Sequence, residues 1–332
     1  MAGQDHRLPA EWERQSATLL AWPHAASDWA VRLPDIRREY CAFIQTIALH
    51  QPVVLITPPG DHSASAALGD LPNLHLIEIP CDDTWCRDFG PIIRLGCSDR
   101  IALDFQFKGW GGKYAATQDN KVNIRLAESD IFAALVPGLR FEQVDFELEG
   151  GAIETDGRGT LLINWHCLRQ RHPDESRADI ENRLMTALGV ERVLGIDLAP
   201  LPGDDTDGHI DTIARFLKAD TIAWQVQPDE TRSQRLRSQL ESLRQVDGQP
   251  YSLLELPLPA GVDPSLPANY ANFLFINDAC LVPAYGVAAD EEARTRLAGA
   301  LPDRSVHSVP ARAMIEEYGG PHCASMHIPA LT

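Results

Sequence analysis

Side chains that could carry out chemistry are concentrated in four short segments of the sequence. Each segment combines glycine with acids, histidine, cysteine or tryptophan, and lies next to an apolar run. Glycine lets the backbone approach a ligand closely, and functional sites form most often on loops of this kind. The segments are Asp83–Pro91, Glu147–Ile153, Gly203–Asp211 and Tyr318–His327.

The third segment gives the clearest functional signal. It holds five acids or histidines within nine residues, directly before an apolar run. In an extended segment, His209 and Asp211 point to the same face because side chains alternate. A histidine that shares a face with a carboxylate is typical of a catalytic or metal-binding site. Taken alone, Asp88 fits a local turn network with Arg87, and Glu149 fits a glycine bulge between strands.

Cys323 in the fourth segment is the best candidate nucleophile among the seven cysteines. It follows a glycine-rich turn and is flanked by His322 and His327. Small neighbours leave a thiol accessible, and nearby histidines favour the reactive thiolate. The other cysteines are expected to be small buried hydrophobic residues.

Two mechanisms fit these residues. In the first, Cys323 is a nucleophile, His209 is its acid–base partner, and Asp88, Glu149 and Asp211 orient groups or bind a cation. In the second, His209 and Asp211 join a later histidine, His322 or His327, in an iron-binding triad. The metal hypothesis leaves the first two segments without a role.

The charge composition of the sequence argues against some classes of binding partner. Lys and Arg number 29 against 47 Asp and Glu, which gives a formal net charge of −18. Such a surface repels phosphate, which argues against nucleic acid and anionic membranes as partners. The sequence has no leader-like start and no apolar run of about 20 residues. The odd cysteine count without a C-x-x-C pair indicates reduced thiols, so we expect a cytoplasmic protein.

Apolar periodicity predicts alternating strands and helices. Doubled strands recur about every 60 residues with one helix between them, which suggests several similar units around an axis rather than one doubly wound sheet. The tail is predicted to be mostly loop. Helices are predicted at Leu33–Ile47, Lys121–Leu135, Ala178–Leu188, Glu230–Leu243 and Asp290–Leu297. Strands are predicted at Val53–Thr57, Leu74–Ile79, Ile101–Phe107, Phe141–Phe146, Gly159–Trp165, Arg192–Ile196, Ile210–Leu217, Thr221–Gln225, Ser252–Leu256 and Phe273–Val282.

The four segments, in this order, resemble the agmatine deiminase family, also called the Porphyromonas-type peptidylarginine deiminase family. The resemblance covers nearly the whole chain. Further matching segments are Leu8–Glu13, Leu20–Pro23, Trp110–Tyr114, Tyr270–Phe273 and Val282–Gly286.

This resemblance implies the fold of guanidine-modifying enzymes, an α/β five-bladed propeller (pentein) of ββαβ units around a pseudo-fivefold axis. Residues 1–332 would then form a single catalytic domain with its site at the axis. Cys323 matches the family's nucleophile and His209 its general acid and base. Asp88 and Asp211 match the carboxylates that grip the guanidinium, and Glu149 matches the acid that hydrogen-bonds the histidine.

The resemblance also implies a substrate and a mechanism without a metal or an organic cofactor. The expected substrate is a small cationic guanidino compound, with agmatine first. Asp205, at a position where members that use agmatine commonly carry Glu, would meet the terminal amine, and Trp85 and Trp110 would line the channel. Free arginine, peptidyl-arginine or another guanidino compound remain alternatives, as does a non-catalytic protein that binds cationic ligands. Whether the chain forms a homodimer is left open.

Overall fold

The structure is a computed structural model that describes residues 6–331. Residues 1–5 and Thr332, which the predicted domain includes, lie outside this range. Its strands, in chain order, are β1 (Gln15–Ala21), β2 (Val53–Thr57), β3 (Leu74–Glu78), β4 (Ile92–Leu95), β5 (Arg100–Gln106), β6 (Leu139–Glu147), β7 (Ile153–Thr155), β8 (Thr160–Asn164), β9 (Arg192–Ile196), β10 (Ala214–Lys218), β11 (Thr221–Gln225), β12 (Ser252–Leu256), β13 (Leu274–Ile276), β14 (Ala279–Ala284), β15 (Ser305–Pro310) and β16 (Ser325–Pro329).

Helices connect the strands. The α-helices are α1 (Leu33–Ala48), α2 (Ser63–Leu68), α3 (Cys86–Phe89), α4 (Gly109–Gly112), α5 (Val122–Ala127), α6 (Asp130–Leu135), α7 (Trp165–Arg171), α8 (Arg177–Leu188), α9 (Glu230–Ser242) and α10 (Ala289–Ala300). Short 3-10 helices cover Asp28–Val31, Asp119–Lys121, Gly150–Ala152, Ile210–Thr212 and Met314–Glu317.

The strands form five small sheets that share one topology. In each sheet the first strand is antiparallel to the second, and the second is parallel to the third. Helices connect the second strand to the parallel third strand. This connection gives the ββαβ unit that the resemblance implies. The sheets are β4-β5-β6, β7-β8-β9, β10-β11-β12, β13-β14-β15 and β16-β1-β2-β3. This confirms the α/β class and the repeated unit.

The first and the last strands of the chain close one sheet together. Strand β16 pairs antiparallel with β1, with Leu20 opposite Ser325. Strand β1 then runs parallel to β2, and β2 runs parallel to β3, with Val53 opposite Leu74. The segment that carries Cys323 is therefore anchored beside the first strand.

Burial explains the regular elements. All five residues of β2 are buried, as expected of a central parallel strand with both faces covered. Helix α1 carries apolar residues at helical spacing, with Ile36, Tyr40, Phe43 and Ile47 fully buried. Pro34 stands near its start, where a missing N–H costs nothing.

Two predicted strands are wrong in part. Ile210–Thr212 forms a tight 3-10 turn, and β10 begins only at Ala214. The Thr212 hydroxyl donates to the His209 carbonyl at 2.9 Å, which stabilises the turn against an extended backbone. Phe273–Val282 is a hairpin of β13 and β14 rather than one strand. Asp278 at the hairpin turn has φ of +60°, which an extended strand cannot accommodate.

Two other expectations are also corrected. The predicted helix over Lys121–Leu135 is interrupted, because Ser129 caps a new helix by accepting a hydrogen bond from the Phe132 N–H. The tail is not mostly loop, since it contains β15 and β16. Their sequences place serine and histidine among apolar residues, so the apolar pattern is weak. Strands β2, β9, β11 and β12 have the predicted bounds.

Candidate active site

The five residues with expected chemical roles lie on loops that meet at one point. Each loop comes directly before the strand that opens a sheet, so every sheet delivers one loop to the same place. The contributed residues are Asp88 before β4, Glu149 before β7, His209 and Asp211 before β10, Asn272 before β13, and Cys323 before β16. The loop before β13 was quoted only as part of the family resemblance.

Asp88 is buried and receives two neutral hydrogen bonds. Trp110 donates to its Oδ2 through Nε1 at 2.9 Å, and the Gly151 N–H donates to its Oδ1 at 2.9 Å. Burial raises the pKa of Asp88 to about 6, although the His209 charge opposes this. The expected local network with Arg87 is not formed, because Arg87 donates instead to Glu11. Asp88 is therefore a carboxylate without a permanent cationic partner in direct hydrogen-bond contact.

Glu149 and His209 form a buried pair. His209 Nε2 lies 3.4 Å from Glu149 Oε2, and His209 Nδ1 lies 3.6 Å from Asp88 Oδ1. Burial opposes the imidazolium, but the Asp88 charge, the Cys167 thiol and Glu149 together raise the pKa of His209 well above its usual value. Its Nδ1 is buried and has no hydrogen-bond partner among residues 6–331. An imidazolium proton is thus held at the centre of the site.

Arg171 secures Glu149 from the other side, a contact that the sequence did not indicate. Its Nε donates to Glu149 Oε1 at 2.7 Å, and its Nη1 donates to Asp207 Oδ2 at 2.5 Å. Burial disfavours the Glu149 charge, yet His209 and Arg171 lower the pKa of Glu149. The glycines after Glu149 form a 3-10 turn rather than the expected bulge.

Asp211 and Cys323 lie in contact. Cys323 Sγ lies 3.6 Å from Asp211 Oδ2, and the Asn272 amide donates to the same sulfur at 3.0 Å. Burial, followed by the charges of Asp211 and Asp88, raises the pKa of Cys323 well above its usual value. The thiol is therefore protonated while these carboxylates have no added cation.

Gly151 leaves the space between these groups open. A methyl group on this glycine would lie 2.6 Å from His209 Nδ1, 2.8 Å from Asp88 Oδ1 and 3.2 Å from Asp211 Oδ2. All three distances are shorter than van der Waals contact. Acid, imidazole and acid therefore face one small volume that a side chain would fill.

A pocket leads from the surface to Cys323, and its lining is acidic and aromatic. No arginine or lysine of the described chain lines it. The aromatic residues are Trp85, Trp110, Tyr114 and Tyr318, and the acids are Asp28, Asp83, Asp88, Asp204, Asp205 and Glu317. The pocket thus suits a cation with an apolar stem.

Trp85 and Trp110, predicted to line the channel, and Asp205, predicted to meet the terminal amine, all line this pocket. Trp110 both lines it and donates to Asp88, and it makes an edge contact with Tyr114 at 5.5 Å between ring centroids. Asp205 Oδ2 accepts a hydrogen bond from the Tyr114 hydroxyl at 2.9 Å. Trp85 packs against Gly319, where a methyl group would lie 2.3 Å from the indole ring.

The candidate ligand atoms of the iron-binding alternative do not form one cluster among residues 6–331. His322 Nδ1 is hydrogen-bonded to Asp211, and His327 Nδ1 lies against Arg87 at 3.1 Å. Within residues 6–331, the ligand atoms that cluster within 4.8 Å belong instead to Glu149, Cys167 and His209. Arg171 already occupies one oxygen of that glutamate.

In the described part of the chain, no helix combines the length and apolar character needed to cross a membrane.

Comparison with known proteins gives consistent results. The family model for Porphyromonas-type peptidyl-arginine deiminase matches residues 7–329. An agmatine deiminase from Pseudomonas aeruginosa (strain LESB58) is 30% identical over 358 residues, covering 98% of this chain and 95% of that protein.

Solved structures are similar over the same range. A cysteine-to-serine variant of C. jejuni agmatine deiminase with substrate bound has a TM-score of 0.90 and 33% identity, covering 99% of this chain and 98% of that one. A dimethylarginine dimethylaminohydrolase at 14% identity, with a TM-score of 0.54 and coverage of 95% and 100%, shares the fold alone.

The open space above Gly151 gives the first prediction. Gly151→Ala should weaken binding of an alkylguanidinium about 100-fold or more, because the methyl group occupies the volume between the carboxylates. The backbone of Gly151 lies outside the left-handed region, so the strain in the variant comes from the methyl contacts alone, and thermal unfolding would check that the variant folds. Calorimetric titration would measure the affinity. Gly299→Ala, where the methyl group meets open space, is the matched control. Equal binding by the two variants would contradict this assignment.

Asp88 gives the second prediction, which concerns pH. Its pKa is raised to about 6, so the carboxylate is present above that pH and is lost as pH falls through it. A bound guanidinium favours the ionised form, so protons and ligand compete. We expect affinity to fall by up to about tenfold per pH unit below pH 6. Titrations between pH 5 and about 8 would test this, and a flat profile would exclude a titrating carboxylate from the site.

Proposed function

The chain belongs to the Porphyromonas-type peptidyl-arginine deiminase family, and on that premise we propose that it hydrolyses agmatine to N-carbamoylputrescine and ammonia. The observation that carries the proposal is the convergence of Asp88, Asp211, His209 and Cys323 at the end of an acidic pocket. Two carboxylates suit a planar cation, and a thiol beside them suits attack on its central carbon. The chemistry requires no metal or organic cofactor.

Binding prepares the nucleophile. Asp88 and Asp211 would accept N–H bonds from two edges of the guanidinium and hold its carbon near Cys323. The thiol pKa is raised in the empty site by burial and by these same carboxylates. A bound cation neutralises their field, which favours loss of the thiol proton. Ionisation of Cys323 is therefore coupled to the arrival of a cationic substrate.

Thiolate attack begins the first half-reaction. A bond forms between Sγ and the guanidinium carbon, and the electron pair of one C–N double bond moves onto nitrogen. His209 then donates its Nδ1 proton to the departing nitrogen, and the C–N bond breaks to release ammonia. The product on the enzyme is an S-alkylthiouronium, and His209 is left as neutral imidazole.

Water completes the second half-reaction. Neutral His209 takes a proton from water, and the resulting hydroxide attacks the same carbon. The C–S bond breaks as the C=O bond forms, and the sulfur leaves as thiolate. The hydroxyl proton passes to this thiolate, which restores the resting thiol as the substituted urea is released. Glu149 holds the imidazole through Nε2 and leaves Nδ1 facing the reacting atoms, so one nitrogen serves both proton transfers.

The pocket supports agmatine over arginine. An α-carboxylate would enter a channel lined by acids with no lysine or arginine of residues 6–331 to receive it. The terminal ammonium of agmatine would instead be attracted, with Asp205 as its expected partner. Tyr114 and Trp110 provide aromatic surface for the alkyl chain. Peptidyl-arginine brings no second cation and gains nothing from the acids.

Ammonia release tests the proposal directly. Purified protein with excess chelator should release ammonia from agmatine, and much less from arginine or capped peptidyl-arginine. Cys323→Ala should lower turnover by about 10⁴-fold or more, because no other group can form the covalent intermediate. Cys97→Ser, which removes an exposed thiol, should leave activity unchanged.

Each result that differs from these expectations would contradict a different part of the proposal. Release from arginine alone would keep the mechanism and replace the substrate. Turnover retained by Cys323→Ala would contradict the covalent mechanism. Binding of agmatine without release of ammonia, with Cys323 reduced, would favour a non-catalytic protein that binds cations.

The role of Asp205 in recognising the terminal amine can be tested with substrates that carry or lack this amine. Asp205→Asn should raise KM for agmatine about 10-fold or more, because a charge-assisted hydrogen bond is lost. KM for an alkylguanidine without the amine should change little. Asp303→Asn is the control, since it removes one exposed acid that does not line the pocket. Equal effects on both substrates would remove Asp205 from amine recognition.

A further inference from the structure

Glu11 is a buried acid that the chemical roles assigned above do not use. It belongs to the matching segment Leu8–Glu13 and is 6% exposed. Its Oε2 accepts a hydrogen bond from Arg87 Nη2 at 2.8 Å, and its Oε1 accepts from the Phe275 N–H at 2.8 Å. Arg215 Nη2 lies 3.0 Å from the same Oε1. These cations keep Glu11 ionised in a dry environment.

His322 joins Glu11 to the substrate site. Its Nε2 lies 2.8 Å from Glu11 Oε2, and its Nδ1 lies 2.7 Å from Asp211 Oδ2. Burial opposes both charges, but their cationic neighbours lower the pKa of Glu11 and of Asp211. Carboxylates only accept hydrogen bonds, so the imidazole must donate from both nitrogens. His322 is therefore a buried imidazolium between two carboxylates.

We propose that His322, held in place by Glu11, is a positioning residue that orients the Asp211 carboxylate and keeps it ionised for the guanidinium. His322 has this role only if the protein acts on guanidinium compounds, as proposed above. It touches no substrate atom itself and acts through Asp211.

A comparison of the two guanidinium-binding carboxylates supports this role. Asp88 and Asp211 are both buried, yet burial raises the pKa of Asp88 whereas the pKa of Asp211 is lowered. Asp88 receives hydrogen bonds from an indole and a backbone N–H, which are neutral. Against the cost of burial, the charged donor His322 contributes most to lowering the pKa of Asp211, ahead of His209 and Arg215.

The contacts also fix the geometry. His322 holds Asp211 Oδ2, while Asp211 Oδ1 is buried and has no hydrogen-bond partner among residues 6–331. The Asn272 side chain accepts hydrogen bonds from the His322 and Cys323 N–H groups at 3.0 and 3.3 Å. One loop therefore positions both the nucleophile and the residue that orients the carboxylate beside it.

The groups that determine the charge of Asp211 come from several loops. The charged and titratable groups facing it are His209, His322, Cys323, Asp88 and Arg215. On the far side of the imidazole, the charged or titratable neighbours are Glu11, Arg87, Glu154 and His327.

Two substitutions at His322 separate its two contacts. In His322→Asn, the amide nitrogen replaces Nδ1 and can still donate to Asp211, but the positive charge is lost. In His322→Gln, the amide reaches toward Glu11 and the contact with Asp211 is lost. His327→Gln is the matched control, because this histidine lies on the same segment and contacts Arg87. Circular dichroism and thermal unfolding would confirm that each variant folds.

The pH profile of kcat/KM for agmatine is the decisive measurement. In the wild type, the fall of kcat/KM at low pH (the acid limb of the profile) should reflect the uptake of one proton, by Asp88. Without the imidazolium, buried Asp211 should also take up a proton at low pH. In both His322 variants, the fall of kcat/KM at low pH should therefore become steeper, approaching a dependence on two protons. Its midpoint should move up by about one pH unit or more. At the plateau, kcat/KM should fall about 10-fold for His322→Asn and about 100-fold for His322→Gln. His327→Gln should keep the wild-type limb.

The outcomes distinguish this inference from the proposed function. A lower kcat/KM with an unmoved acid limb would show that His322 only supports the fold and would overturn the inference. If the wild type releases no ammonia, the proposed function fails. The same pH profile is then measured for binding of an alkylguanidinium, where an unmoved limb again overturns the inference.

Discussion

The candidate active site must hold ionised carboxylates in a buried environment from which water is largely excluded. An unpaired buried charge costs several kcal/mol, and removing one partner of a buried pair costs about 3–5 kcal/mol. Glu149 is held by Arg171 and His209, and Glu11 by Arg87, Arg215 and His322. Asp88 receives its hydrogen bonds from neutral donors, and burial raises its pKa. Under the proposed function, a bound guanidinium would add a charged hydrogen-bond donor to the neutral donors of Asp88.

The repeated sheet explains how so many charges reach one point. Each ββαβ unit places the loop before its first strand at the centre, so a group of reacting residues distant in sequence is assembled from equivalent positions. Local turns then aim the side chains. The 3-10 turn at Ile210–Thr212 brings Asp211 under the thiol while His209 faces Glu149. The pocket's acids come from four separate segments of the chain, and their negative charges add within one pocket.

The sequence indicated the residues that line the candidate site better than the residues that hold them. Cys323, His209 and Asp211 stand in short runs of glycine and polar residues, which are unusual enough to be noticed. Asp88 and Glu149 needed the family resemblance, because a local structural role was the better explanation of each residue taken alone. Arg171 and Glu11 gave no local signal. One lies in a helix with other basic residues and the other in an ordinary polar stretch, and their importance depends on contacts 22 and 311 residues away. Strand β16 was missed for a related reason, since its pairing with β1 compensates for a weak apolar pattern.

The pairing of β1 with β16, together with the bond between Glu11 and His322, has a consequence for folding kinetics. Contacts this distant in sequence are formed late, because closing a long loop costs entropy before any interaction offsets it. Partly folded states that lack this closure leave Glu11 without its contact to His322, which makes such states unfavourable. We therefore expect slow, cooperative folding in which the candidate site forms in the same step as the sheet that joins β1 to β16.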